Sequence, residues 1–371
     1  MATFDPRTAR LVAEMNRCAR CILPASYPGI DFDEDGICSF CRSHGPRGYS
    51  GLERLRQRIL TAGEPGERPA GGHDCLMAFS GGRDSTYMLH LLVNELHLRP
   101  LAYFLDNGLV PAVTHENLRR TVERLEVDLV VEAHDRLTTC LRTHVETFLH
   151  RPSPATVGLL CAGCRLALSQ RIAAFAVSRG LPVVVFGSNP IDALGGFKLD
   201  LLRWQSDRPG LAGLVAGYLR EMAKNPRWLL SPRCLSIQAR EFRQCFSRPT
   251  RSRESRLLML APFDDAIRWV EKDVVETIRQ HFDWQKSPGV ESSWRGDCRL
   301  APLKSYISRG LLGFNDVDVL LSYLIRDGQI DREEALERLR REGMPPDEVI
   351  DETLAEIGFS GDDLRRALAA G

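Results

Sequence analysis

Apolar positions along this chain fall into two rhythms. Short, nearly continuous apolar runs, "CLMAFS" (75–80), "RPLAYFLD" (99–106), "VDLVVEA" (127–133) and "LPVVVFG" (181–187), have the length and composition of strands buried on both faces. Between them, 84–97, 114–126 and 164–179 place apolar residues at helical spacing. Strands alternating with helices predict a doubly wound parallel sheet, an α/β fold whose ligands bind beyond the carboxyl ends of the strands. The alternation stops near 198. From there to 256 the chain carries 13 basic residues against five acidic ones, read either as a helical insertion with a solvated face or as a patch for a phosphorylated or nucleotide-linked substrate. From 314 the pattern is acidic and helical, with Asp331 as an N-cap and Glu334 three residues on. The Gly- and Pro-rich "TAGEPGERPAGGHD" (61–74) reads as a linker. Three parts follow: an N-terminal module (1–60), an α/β domain (61–312) containing the basic insertion (about 198–256), and a helical appendage (313–371) without chemistry of its own.

Charge adds little to this picture. Lys plus Arg number 49 and so do Asp plus Glu, so no global field points to nucleic acid or membrane. No run approaches the ~20 apolar residues of a membrane span, and the first residues lack the apolar core of a signal peptide, so a cytoplasmic protein is expected. In that reducing setting the 11 cysteines point to metal ligation or catalysis rather than disulfides. Cys18, Cys21, Cys38 and Cys41, in "CARCILPASYPGIDFDEDGICSFC", form two C-x2-C pairs sixteen residues apart. Four thiolates at that spacing suit a closed structural site with a tetrahedral Zn2+, a catalytic or iron-bearing site being the other reading, and the turn-forming residues between the pairs leave the metal to hold the segment together.

The chemistry begins at "SGGRDST" (80–86), which ends one predicted strand and opens a helix. Gly81 and Gly82 let backbone N–H groups approach anionic oxygens, Ser80, Ser85 and Thr86 add hydroxyls, and the helix N-terminus adds partial positive charge. No G-x-x-x-x-G-K-[ST] and no G-x-G-x-x-G is present, which excludes a Walker A loop and a dinucleotide fingerprint.

SGGRDST resembles the SGGxDS PP-loop of the ATP pyrophosphatases, and "YFLDNG" (103–108) is similar to their second nucleotide-side segment. The resemblance implies a fold of the HUP type, with ATP and Mg2+ as cofactors and cleavage between the α and β phosphates. Arg83, Asp84 and Asp106 would be catalytic, with Ser80, Gly81, Gly82, Asp84, Ser85, Thr86, Asp106 and Asn189 around the nucleotide. A second resemblance covers more of the chain. The cysteine segment, the PP-loop, "VVFGSNPIDALGG" (184–196) and "IDREEALERL" (330–339) together are similar to the N-acetyl sugar amidotransferases. Those enzymes adenylate an N-acetyl carbonyl oxygen and replace it with ammonia from a separate glutaminase subunit.

"GLLCAGCRLAL" and "SSWRGDCRL" pull the other way. Cys161, Cys164 and distant Cys298 resemble the three cluster ligands of PP-loop tRNA thiolation enzymes. A 4Fe-4S cluster on them would leave one iron open for sulfide and make the protein a sulfurtransferase; a redox pair or ordinary buried thiols are the other readings of the trio. Cys75, Cys140, Cys234 and Cys245 read as ordinary cysteines and His134 as a surface or packing histidine. Asn189 and Asp192 fall on the ligand side of the sheet. The expected partners are a sugar-nucleotide or other small metabolite, a glutaminase subunit or sulfur donor, and a second copy of the chain; tRNA stays open as a substrate, and no membrane is expected.

Overall fold

The computed structural model describes residues 15–62, 72–133, 136–193, 201, 210–226, 236 and 257–370. His134, Cys234, Cys245, most of the basic stretch 198–256, and the side chains of Cys140, Cys164 and Asp192 lie outside the described residues. No described helix is long and apolar enough to cross a membrane.

In chain order, α1 (Leu52–Leu60) precedes β1 (Cys75–Ala78), α2 (Arg83–His90), β2 (Pro100–Asp106), α3 (Ala112–Leu125) and β3 (Leu129–Ala133). Three helices, α4 (Arg136–His150), α5 (Pro154–Leu159) and α6 (Ala162–Ser178), separate β3 from β4 (Val183–Phe186). Then come α7 (Gly210–Lys224), β5 (Leu258–Leu260) and α8 (Glu271–Phe282). The chain closes with α9 (Leu300–Leu312), α10 (Asp316–Arg326), α11 (Arg332–Glu342), α12 (Asp347–Glu356) and α13 (Gly361–Ala370).

The five strands are all parallel in the order β3-β2-β1-β4-β5, with Leu76 opposite both Leu101 and Val184. Strand alternation divides the core into two. Cys75, Met77, Ala102, Phe104, Val183 and Val185 face Met88, Leu92, Phe263 and Trp269 in the large cluster, while Leu76, Leu101, Tyr103, Leu105 and Val184 face Ile172 and Ala176 of α6 in the other. The doubly wound parallel sheet expected from the apolar runs is therefore present. Cys75 is fully buried, and burial pushes its thiol up, as an inert packing cysteine requires.

Three local readings are corrected. The strand expected at 127–133 is present as β3 but is not buried on both faces: among the described residues it is an edge strand, hydrogen-bonded on one side only, with Val131 exposed. The apolar run 84–97 divides into α2 and a π-helical turn at Leu91–Glu95, before His97 in the left-handed region (φ 51°). A fifth strand, "LML", follows the basic stretch where no strand was expected. Other boundaries follow their caps. Ser153, with Pro154 at the first helical position, caps α5, and Asn315 with Asp318 forms a capping box on α10. Asp331 caps α11 by accepting from the Glu334 N–H at 2.8 Å, as its sequence predicts.

Candidate active site and cysteine centre

The strand order reverses direction between β1 and β4, the place where sheets of this kind bind ligands. The loops after both strands meet there. Residues 80–86 turn from β1 into α2, with Gly81 in the left-handed region (φ 71°). A Cβ on Gly81 would lie 2.7 Å from Leu118 Cγ, so only glycine suits the position on both counts. Ser80 and Ser85 share a hydroxyl contact of 3.1 Å; Ser80 Oγ accepts from the Gly82 N–H at 3.3 Å, and Ser85 Oγ donates to the Gly82 carbonyl at 3.1 Å. The two serine hydroxyls brace the loop from within. The Thr86 hydroxyl is buried, without a hydrogen-bond partner among the described residues. The first N–H groups of α2 have no partner within the helix and supply the anion-facing end.

The first turn of α2 is anchored through Asp84. One of its oxygens accepts from Trp269 Nε1 at 2.9 Å and from Arg83 Nε at 3.1 Å; the other accepts from Asn189 Nδ2, in the loop after β4, at 2.8 Å. Arg83 points inward and is 2 % exposed. Its Nη1 donates to Glu271 Oε1 at 2.7 Å and Ser293 Oγ at 3.0 Å, and its guanidinium lies 5.2 Å from the Trp269 ring centroid. Burial works against charge on Arg83, but Asp84 and Glu271 outweigh it and raise its pKa. Burial likewise pushes the Glu271 carboxyl up, and Arg83 with Arg338 brings it below the ordinary carboxylate value. Gly187 closes the junction. A Cβ there would stand 2.5 Å from Ser85 Cα and 2.9 Å from the Asp84 carbonyl oxygen.

Asp106 ends β2 in a more open setting, its side chain 25% exposed. It accepts from the Gly108 N–H at 2.8 Å and faces His115 Nε2 at 3.5 Å. The segment 284–298 lies over this side of the loop. Trp284 Nε1 donates to the Gly81 carbonyl at 3.0 Å, Asp297 Oδ2 stands 2.9 Å from where a Gly82 Cβ would be, and Asn107 Nδ2 reaches Cys298 Sγ at 3.6 Å. Half-buried Cys298 thus sits beside the loop after β2. Cys161 precedes α6, at the far end of α5, and α5 packs on α9, which starts two residues after Cys298.

The other centre is complete. Cys18, Cys21, Cys38 and Cys41 are buried, and their four sulfurs lie within 4.8 Å of one another. Cys18 and Cys41 sulfurs are 3.9 Å apart and those of Cys21 and Cys38 3.8 Å, too far for disulfides. Backbone N–H groups of Cys21 and Cys38 point at Cys18 Sγ, at 3.4 and 3.2 Å, and Arg326 reaches Cys21 Sγ at 3.7 Å. These are donors suited to thiolates. Hydrogen bonding to Cys21 raises the Cys38 thiol to about 11 and pushes Cys41 up as well, so the sulfurs alone do not all ionise. A bound dication makes four thiolates at this spacing compatible.

The structure therefore gathers Ser80 through Thr86, Asn189, Asp106 and Cys298 around the carboxyl ends of β1, β2 and β4, and the four cysteines at a separate place. Trp269, Glu271, Trp284, Ser293, Asp297 and Gly187 were not singled out by sequence reasoning. Only Gly187, closing the "VVVFG" run, carried a local signal, a glycine at a strand's ligand-side end.

These features define a doubly wound α/β protein with a glycine-containing, anion-facing turn at its switch point and a separate four-cysteine centre. No family model matches the chain. It is 33% identical over 122 residues to an uncharacterized protein of Methanocaldococcus jannaschii, a match covering 32% of this chain and 43% of that relative. Among solved structures it is similar to the U34-tRNA thiolase NcsA of Methanococcus maripaludis with its 4Fe-4S cluster, at 13% identity and a TM-score of 0.31 over 87% of this chain and 88% of that one. It is also similar to NMN synthetase of Francisella tularensis (14% identity, TM-score 0.27, 54% and 96% of the two chains). A predicted tRNA methyltransferase subunit of Methanocaldococcus jannaschii gives 12% identity and a TM-score of 0.29 over 61% and 84%. Superpositions this loose leave the fold to rest on strand order and register.

Proposed function

We propose that the protein cleaves ATP between its α and β phosphates to adenylate the amide carbonyl oxygen of a small N-acetylated, nucleotide-linked sugar, and then replaces that oxygen with nitrogen. The observation that carries this reading is the clamp at the switch point: Asn189 and Gly187 from the β4 loop fix Asp84 and Ser85, so the anion-facing turn is set by two strands at once. Such a turn, lacking the Walker lysine, suits a leaving pyrophosphate. The carbonyl oxygen attacks the α-phosphorus and pyrophosphate departs; ammonia then adds to the carbonyl carbon, and AMP leaves with the original oxygen, giving an amidine. Amide oxygen is a poor leaving group, and its transfer to AMP removes that barrier. The protein supplies position and charge.

Within this reading Asp84 positions the loop, since its oxygens are already accepting from Trp269, Arg83 and Asn189. Asp106, more open at the end of β2, is the carboxylate that would hold Mg2+, which neutralises charge on the phosphates. The cysteine centre would hold Zn2+. A tetrahedral ion with Zn–S bonds of about 2.3 Å requires sulfurs about 3.8 Å apart; two of the six separations are 3.8 and 3.9 Å, and all lie within 4.8 Å. Ammonia would come from a separate glutaminase.

Sulfur transfer is the second reading, favoured by Cys298 beside Asn107 and by the packing of α5 on α9, which places the Cys161 and Cys298 segments at ends of two touching helices. One experiment separates the two. With ATP, an N-acetyl sugar nucleotide, 15N-ammonium and sulfide supplied together, mass spectrometry is expected to show one 15N in place of one oxygen; a product carrying sulfur overturns the nitrogen route.

A further inference from the structure

α11 joins the cysteine centre to the loop at 80–86. At its start, Arg332 Nε donates to the Cys21 carbonyl at 3.1 Å. Six residues on, about 9 Å along the axis, Arg338 Nη1 donates to Glu271 Oε2 at 2.7 Å, and the other oxygen of that carboxylate accepts from Arg83 at 2.7 Å. Gln329, just before α11, makes a parallel connection. Its Oε1 accepts from the Glu271 N–H at 2.9 Å, its Nε2 donates to the Trp269 carbonyl at 2.8 Å, and Trp269 in turn holds Asp84. From the knuckle to the loop, every connection is a hydrogen bond or a turn of one helix.

We infer that Glu271 and Arg338 are positioning residues for the loop at 80–86, and that through them nucleotide affinity depends on metal occupancy of the cysteine centre. The inference rests on the reading of that loop as the ATP site. Arg83 is buried and cannot turn to water for its charge, so its place is set by the two carboxylates around it. Glu271 is in turn shared between Arg83 and Arg338. Opening the knuckle removes the carbonyl on which Arg332 rests, lets α11 shift, and leaves Glu271 and Arg83 without the third charge that fixes them. Coupling of this kind is reciprocal: a metal that tightens nucleotide binding is itself held more tightly, by the same factor, when nucleotide is bound.

The full-length protein tests this with a non-hydrolysable α,β-methylene analogue of ATP and Zn2+. Stripping zinc under reducing conditions is expected to weaken analogue binding about tenfold, within the range usual for coupled sites. Saturating analogue is expected to raise zinc affinity, read by competition with a chromophoric chelator, by the same factor. Hydrogen exchange in β1, β2 and β4 of the metal-free chain checks that the sheet stays folded, since global unfolding on zinc loss would by itself make the analogue raise zinc affinity. In Arg338→Met both effects should fall below about twofold, and Arg338→Lys should restore part of them, which a general packing role would not do. Retention of the full reciprocal effect in Arg338→Met, or analogue affinity indifferent to zinc in the wild type, overturns the inference. Failure of the loaded wild type to bind the analogue at all is a distinct result, and removes the ATP-site reading together with the inference.

Discussion

Gly187→Ala is expected to lower ATP turnover by about 100-fold or more, the scale on which small displacements at a reacting centre act, while the sheet stays assembled. The new methyl would meet the Ser85 α-carbon at 2.5 Å, the Ser85 nitrogen at 2.9 Å and the Asp84 carbonyl oxygen at 2.9 Å, all backbone atoms that no side-chain rotation can clear. Either β4 or the first turn of α2 must move. β4 is held in register against β1 and β5, so the strain falls on the helix start that carries the anion-facing N–H groups. Overpacking of this kind costs about 1–3 kcal/mol, a loss the fold can absorb. Gly48→Ala is the control, since its Cβ meets nothing within 4 Å. Pyrophosphate release and urea unfolding, measured on both variants, check the result; wild-type turnover in Gly187→Ala would show that the junction is not part of the site.

With Zn2+ on the cysteine centre, as proposed, Cys38→Ser or stripping of that metal by a chelator is expected to release the segment 15–45 and part of the C-terminal helices together. Structural zinc in isolated finger peptides contributes on the order of 10–16 kcal/mol, and here the knuckle shares its core with the tail. The Tyr27 and Phe314 ring centroids lie 5.5 Å apart, the Ser26 hydroxyl donates to the Leu312 carbonyl at 3.0 Å, and Arg17 pairs at 2.8 Å with Asp318, which is also bound by Arg309. Losing the knuckle exposes Arg17 and leaves the Asp318–Arg309 pair buried beside an opened face. Hydrogen exchange followed by mass spectrometry should show protection lost across 15–45 and 312–342 and largely kept in β1, β2 and β4. Unchanged protection across 15–45 after metal removal would contradict the account.

The sheet was legible because strands buried on both faces read as unbroken apolar runs, and β1, β2 and β4 lie where those runs predict. β5 was not: three residues at the end of a basic stretch carry too little pattern. The loop at 80–86 and the four cysteines were legible for a related reason, since each is a local cluster whose spacing already contains its geometry. What surrounds them was hidden by distance along the chain. Trp269 reaches Asp84 across 185 positions, Glu271 reaches Arg83 across 188, and Trp284 reaches Gly81 across 203. No periodicity announces such a pairing. Asp84 shows the consequence: its sequence setting suggests a metal or nucleotide partner, and only the fold adds Trp269, Arg83 and Asn189 as donors to the same carboxylate. The tail is the clearest case. Its helical character and the Asp331 cap followed from the pattern, but nothing local marks Arg338, and only the fold brings it to Glu271.

The central claim is that a carbonyl oxygen of the acceptor becomes an oxygen of AMP. An N-acetyl sugar nucleotide carrying 18O in its acetyl carbonyl, incubated with ATP, Mg2+ and ammonium, puts this to a direct test by mass spectrometry of the nucleotide products. The account predicts AMP bearing one 18O, with one pyrophosphate released for each label transferred; ADP and inorganic phosphate, with the 18O still on the sugar, would contradict it.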